Sequence, residues 1–230
     1  MKRFYAVVAI IMVLSPLMQA QKTEKRNLSG FTEVSMGIPG ELYVKIGSPF
    51  SVELSGNSDE IDNIETEVSS GKLVIRRENN RFLTNSKVTV NITMPSIEGL
   101  SVSGSGKAEI QDAVAGADDL YLSVSGSGSI LAGKIEADNI SCTISGSGNI
   151  RISGAGSSDS GKITISGSGS YSGGSLEIDR LNVTVSGSGN CLCNAGDELT
   201  ALVSGSGNII YRGDPRIDAR VSGSGKVRSE

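Results

Sequence analysis

A chain of 230 residues with 30 glycines, four phenylalanines, five tyrosines and no tryptophan or histidine lacks the bulky side chains of a thick globular core and the imidazoles behind much acid–base and metal chemistry. Its formal net charge is −4, and becomes more negative if Lys2 and Arg3 are removed, which argues against nucleic acid or anionic lipid as a main partner. The length suits one domain, or a long domain with a cap.

In chain order, Lys2 and Arg3 precede an apolar run from Phe4 to Leu14, and Ser15-Pro16-Leu17-Met18-Gln19-Ala20 follows. This reads as a secretory signal peptide over 1–20, cut after Ala20, with an apolar run too short to cross a bilayer as a helix. No integral membrane segment is then expected after its removal. The first cysteine is Cys142, far from the cut, so lipidation there is not expected.

Residues 21–95 form an N-terminal β section. Phe31, Val34 and Met36 precede a turn at Gly37-Ile38-Pro39-Gly40; Leu42, Val44 and Ile46 alternate, as do Phe50, Val52 and Leu54. Ile61, Ile64 and Val68 lead to Ser69-Ser70-Gly71, with a short strand from Leu73 to Ile75, a polar loop over Arg76–Ser86, and alternation again from Val88 to Met94. A turn near Asp59–Ile64 is the one helical element expected. This section is either a set of irregular coils or a cap over the end of the strands in residues 96–230, since an uncovered sheet edge presents free N–H and C=O groups.

Residues 96–230 are a repeat. Ser-Gly-Ser-Gly begins at Ser103, Ser125, Ser145, Ser166, Ser186, Ser204 and Ser222, at intervals of 22, 20, 21, 20, 18 and 18 residues. The residue before each copy is Val or Ile, and two residues further back sits Leu100, Leu122, Cys142, Ile163, Val183, Ala201 or Ala219. Period-two alternation specifies strands. A strand returning every ~20 residues buries its apolar side by stacking on the previous copy, which makes the repeat one coil of a solenoid. Gly104 and Gly106 fall on the inward parity, where a missing Cβ permits close approach or a corner.

On the outward parity the pattern is hydroxyl and amide. One column runs Ser101, Ser123, Thr143, Thr164, Thr184, another Ser103 to Ser222, and a further one Lys107, Ser129, Asn149, Ser170, Asn190, Asn208, Lys226. The last coil carries Arg216, Arg220 and Arg228 against Asp218 and Glu230, a charge pattern that discourages end-to-end stacking of sheets. Candidate binding residues are therefore Thr143, Ser145, Asn149, Thr164, Ser166, Thr184, Ser186, Asn190 and Asn208. This face suits three roles: a solvated surface chosen for tight stacking, weak multivalent binding of glycans or another envelope surface, or ordering of water as in ice-binding solenoids.

Other chemistry finds little footing. Asp118, Asp138, Asp159, Asp179 and Asp197 recur seven residues before each copy; calcium between coils would relieve their repulsion, but no second ligand column aligns with them, so turn-capping at a corner is the better reading. Cys142, Cys191 and Cys193 share the inward parity and read as buried, unpaired fillers. The Gly-x-Gly runs lead into no helix, so they do not read as phosphate loops. With no His and no Ser or Cys beside a plausible base, no catalytic residue, cofactor or metal site is assigned, and the chain reads as no enzyme.

The opening Arg26-Asn27-Leu28-Ser29-Gly30-Phe31, then Gly40-Glu41-Leu42-Tyr43-Val44-Lys45-Ile46-Gly47, Val52-Glu53-Leu54-Ser55-Gly56, Gly71-Lys72-Leu73-Val74-Ile75, Met94-Pro95, and Ser-Gly-Ser-Gly-Asn-Ile at Ser145 and Ser204 carry a further signal. Through these motifs the chain resembles the Bacteroidetes auto-transporter adhesin family with a head GIN domain, a domain of unknown function. The resemblance implies an all-β, right-handed parallel β-helix (solenoid) with an N-terminal β section acting as cap, 21–230 forming one continuous domain of this type. It also implies adhesion, although no run of alternating ~10-residue strands for an outer-membrane barrel follows the last coil. The reading expected from sequence is an exported, non-catalytic envelope protein, periplasmic, outer-membrane associated or extracellular, with glycans or cell-surface components as partners. The alternatives are a structural envelope protein with no adhesive role and, less in keeping with the residues, a polysaccharide-acting β-helix enzyme.

Overall fold

The structure of the protein, a computed structural model, describes residues 21–78 and 88–230. The expected signal peptide and positions 79–86 of the expected polar loop lie outside the described residues.

The chain begins with β1 (Gln21–Arg26), β2 (Glu33–Met36), β3 (Glu41–Ile46) and β4 (Ser51–Asn57). A short helix α1 (Ser58–Asp62) follows; the Asn57 side chain caps it by accepting from the Asp59 N–H at 3.0 Å, and Asp59 and Glu60 in its first turn suit the positive end of the helix dipole. Next come β5 (Ile64–Ser69), β6 (Lys72–Arg77) and β7 (Thr89–Met94). β5 and β6 form a hairpin in which Ser69 faces Lys72, and the two residues between them, Ser70 and Gly71, both take positive φ, 50° and 77°. That is the turn whose twist matches the flanking strands.

The coils follow as β8 (Gly99–Gly104), β9 (Lys107–Ile110), β10 (Val114–Gly126), β11 (Ser129–Ala132), β12 (Ile135–Gly146), β13 (Asn149–Ile152), β14 (Gly156–Gly167), β15 (Ser170–Gly187), β16 (Asn190–Gly205), β17 (Asn208–Arg212), β18 (Arg216–Gly223) and β19 (Lys226–Ser229). Every pairing among them is parallel. The residues before each Ser-Gly-Ser-Gly stack on one side of the solenoid, side A, and those after it on a second, side B. Val124, Ile144, Ile165 and Val185 sit in register on one another, as do Leu122, Cys142, Ile163 and Val183. On side B the inward file is Ala108, Ile130, Ile150, Tyr171, Cys191 and Ile209. All of these side chains are buried. The solenoid is thus all-β, with a narrow apolar interior.

The N-terminal section contributes both coils and cap, in a stacking order that departs from chain order. β2 lies beneath β8, with Val34 under Leu100 and Met36 under Val102, while β3 lies beneath β9. Below that coil sits a further one made of β6 and β7, although it follows β2 and β3 in the chain. Antiparallel strands then close the far end: β5 on β6 for side A, and β4 on β7, followed by β1 on β4, for side B. α1 lies against β4 and β1 and buries Ile61, and Phe31 and Phe50 pack with ring centroids 5.0 Å apart. The buried Glu60 carboxylate is held by Arg77 at 2.8 Å.

The two glycines of each repeat do different jobs, and the first corrects the expectation that both face inward. Gly146 and its counterparts turn the corner with positive φ, 106° at Gly146 and 115° at Gly167, and these two glycines are exposed. The second glycine, such as Gly148 or Gly169, is buried. Both carbonyls accept from the next coil, for example Ser147 N–H to Gly126 O at 2.8 Å and Asn149 N–H to Gly128 O at 3.0 Å, so the hydrogen-bonded ladder runs through the corner without a break.

Candidate binding face

Side A carries its outward residues in files whose successive members, one per coil, are one ladder spacing (~4.8 Å) apart. Thr143, Thr164 and Thr184 are in register in one file, and Ser145, Ser166 and Ser186 in the next. Thr143 and the three serines are exposed and Thr164 and Thr184 half-buried. The threonine file ends in this direction at Leu202, which is 42% exposed.

Asn149, Asn190 and Asn208 stack with Ser170 between the first two, but on side B, round the Ser-Gly corner from the threonines. The Asn208 amide donates to the Asn190 side-chain oxygen at 3.0 Å, an inter-coil amide bond that holds both groups in the file. The nine candidate residues therefore occupy two sides that share an edge, and do not form one flat lattice. Each hydroxyl and amide offers both a donor and an acceptor, which suits ligands rich in hydroxyl groups.

Two more files complete side A and were not singled out from sequence: Tyr121, Ser141, Lys162, Asn182, Thr200, and beside it Asp119, Asn139, Ser160, Arg180, Glu198. They border an open groove of about 430 Å³. Ser160 Oγ lies 2.6 Å from the Asn139 side-chain oxygen, and the Asn139 amide donates to the Asp118 carbonyl at 3.2 Å, so the middle of the groove is braced between coils. The available signal was their outward parity. Because the residue type changes at every coil, a reading that looks for constant columns passes over them.

Asp118, Asp138, Asp159 and Asp179 fall at positions skipped by the pairing, between side A and the strand segments preceding it. The Asp138 carbonyl accepts from Ser158 Oγ at 3.1 Å. The described residues contain no group of three or more carboxylate or thiol side chains placed to hold a metal ion. Cys142, Cys191 and Cys193 are buried and free; burial pushes the Cys142 thiol up to about 12. Burial also raises Cys191, and Tyr171, whose hydroxyl lies in the same interior.

Solved structures share this architecture. A protein of Bacteroides fragilis described as a putative adhesin superposes with a TM-score of 0.87 at 21% identity, covering 92% of this chain and 98% of its own. A putative adhesin of Parabacteroides distasonis gives 0.76 at 23% identity over 93% and 98%. A third, from the same species and described as a putative lipid binding protein, gives 0.71 at 21% identity over 91% and 96%. At these identities the likeness establishes the fold alone. No curated protein matches the chain in sequence. The family model for "Putative auto-transporter adhesin, head GIN domain" matches residues 30–215. That span takes in β2 through β17 and all but the last Ser-Gly-Ser-Gly, and the chain accordingly belongs to this adhesin-type head GIN family.

Proposed function

We propose that the protein is a non-catalytic, exported envelope protein that binds glycans or other cell-surface components through its polar solenoid sides. The observation that carries this reading is the set of in-register hydroxyl and amide files, which repeat the same donors and acceptors at ladder spacing and so favour weak contacts made many times over. Membership of an adhesin-type family supports it. A signal peptide over 1–20 supplies the export route in this reading, and none of the described helices is long and apolar enough to cross a membrane. The non-catalytic part rests on the absence of His and on the file Ser145, Ser166 and Ser186, in which each serine stacks on another serine.

The test is a glycan array, with pull-down on cell-wall polysaccharide, comparing the wild-type protein with a Thr143→Val, Thr164→Val, Thr184→Val variant. The variant keeps strand propensity and shape while removing the three threonine hydroxyls of one file. Binding by the wild type that weakens at least several-fold in the variant supports the reading. A signal no greater than that of an unrelated β-helix protein refutes it.

A further inference from the structure

Side A has a basic middle on an acidic protein. Lys162 and Arg180 stand in neighbouring coils, diagonal to one another: Ser160 pairs with Arg180, and Lys162 with Asn182. Among the described residues neither has an ion-pair partner, whereas Arg216 at the far end of the same file is held by Glu198 and Arg220 by Asp218. Glu198, in register with Arg180 one ladder spacing away, gives its Oε1 to Arg216 rather than to Arg180, and Asp119 lies about three ladder spacings (~14 Å) from Arg180, well beyond the ~8 Å screening length at physiological salt. The two cations are left facing the groove.

Tyr121 borders the same groove and is 52% exposed, a large aromatic ring on a side that also exposes Leu202. A ring so placed presents an apolar surface suited to stacking and a hydroxyl at its tip. Asn139 and Asn182, on either side of the cations, each add an amide able to donate and accept. The groove crosses the strands, so a linear ligand laid in it meets a new coil about every 4.8 Å. Sugar hydroxyls match the amides, a sugar's C–H surface matches the ring, and a carboxylate matches Arg180, whose guanidinium binds planar anions in bidentate fashion, with Lys162 as a neighbouring point charge.

We propose that this groove is the subsite for a carboxylate-bearing sugar of a linear acidic polysaccharide. The inference rests on the reading of side A as a glycan-binding surface and names the class of glycan. It assigns recognition to residues that vary from coil to coil, while the constant Ser and Thr files flank the site.

The experiment uses oligogalacturonate, the same oligosaccharide after carboxyl reduction, and dextran sulfate. Binding is measured for the wild-type protein, a Lys162→Gln, Arg180→Gln variant, Tyr121→Ser, and Arg151→Gln, which removes an exposed cation from side B. All these positions are exposed, so circular dichroism and melting temperature should stay at wild-type values. The expected result is at least tenfold preference for the carboxylated sugar over its reduced form, lost in the double variant, weakened several-fold in Tyr121→Ser and unchanged in Arg151→Gln. Equal binding of carboxylated and reduced sugars, or a double variant that binds like wild type, overturns the subsite while leaving glycan binding intact. Dextran sulfate binding as tightly as oligogalacturonate, with no effect of Tyr121→Ser, makes the groove an unselective anion patch and also overturns it. Failure of every glycan on the array removes the functional reading itself.

Discussion

The first glycine of each corner provides a stringent test of why this repeat is built from Ser-Gly-Ser-Gly. Gly104 and Gly167 occupy the same place in their coils with similar backbone geometry, φ 91° and 115°. They differ in what lies beneath. A Cβ built on Gly104 meets nothing within 4 Å, whereas one on Gly167 would lie 2.5 Å from the Gly146 carbonyl oxygen, which accepts the Ser168 N–H at 2.8 Å. Gly104→Ala therefore carries only the strain of a left-handed L-residue, about 1–3 kcal/mol. Gly167→Ala adds a collision with backbone that no side-chain rotation can relieve, about another 1–3 kcal/mol or more. With a urea dependence of about 2 kcal/mol per molar, that extra cost lowers the unfolding midpoint of Gly167→Ala below that of Gly104→Ala by about 0.5–1.5 M. Equilibrium urea unfolding followed by circular dichroism reads the difference. Equal midpoints for the two variants would show that the corner needs glycine for its φ alone, and that coil-to-coil approach sets no further limit.

Two predictions concern the interior. The Tyr171 hydroxyl is buried and has no hydrogen-bond partner among the described residues, so Tyr171→Phe should raise stability by about 1 kcal/mol, a gain of roughly 2–4 °C in melting temperature; a lower melting temperature would mean that the hydroxyl is satisfied in solution. The Cys142 thiol ordinarily titrates near 9.0 and is pushed up to about 12 by burial, so the fold favours its neutral form. Its contribution is fully present below about pH 9 and declines as pH rises towards 12, amounting to about 2 kcal/mol lost by pH 10.5. Cys142→Val, which copies the Val183 of the same file, should flatten the alkaline limb of stability against pH by that amount, and an unchanged slope would refute the assignment.

The C-terminal coils were legible because two independent regularities coincide in them. Alternation placed Val124, Ile144, Ile165 and Val185 on one side of a strand, and the recurrence of the same pattern every ~20 residues placed them on top of one another. The N-terminal section has alternation without recurrence. Its strands could be recognised, but nothing in Val34-Ser35-Met36 says that Leu73 lies below it and Leu100 above. That order depends on the chain running down from β3 to the cap before climbing back through β6 and β7. β1 was invisible for a simpler reason. Its sequence Gln-Lys-Thr-Glu-Lys-Arg has no apolar residue, and it is a strand because β4 offers it an unpaired edge, which its charges then shield from further pairing.

The same distinction bears on function. A residue repeated in every coil answers to what every coil shares, namely the ladder, the corner and the need to stack, so the constant serines identify the outward side without identifying a ligand. Tyr121, Lys162, Arg180 and Asn182 sit on strands that pair in parallel from coil to coil, yet each position holds a different side chain in its neighbours. Stacking does not require a tyrosine ring in solvent, or two cations left open on a chain of net charge −4. In a fold whose geometry repeats, it is the departures from the repeat that distinguish one stretch of surface from the next, and the groove on side A is bordered by such departures.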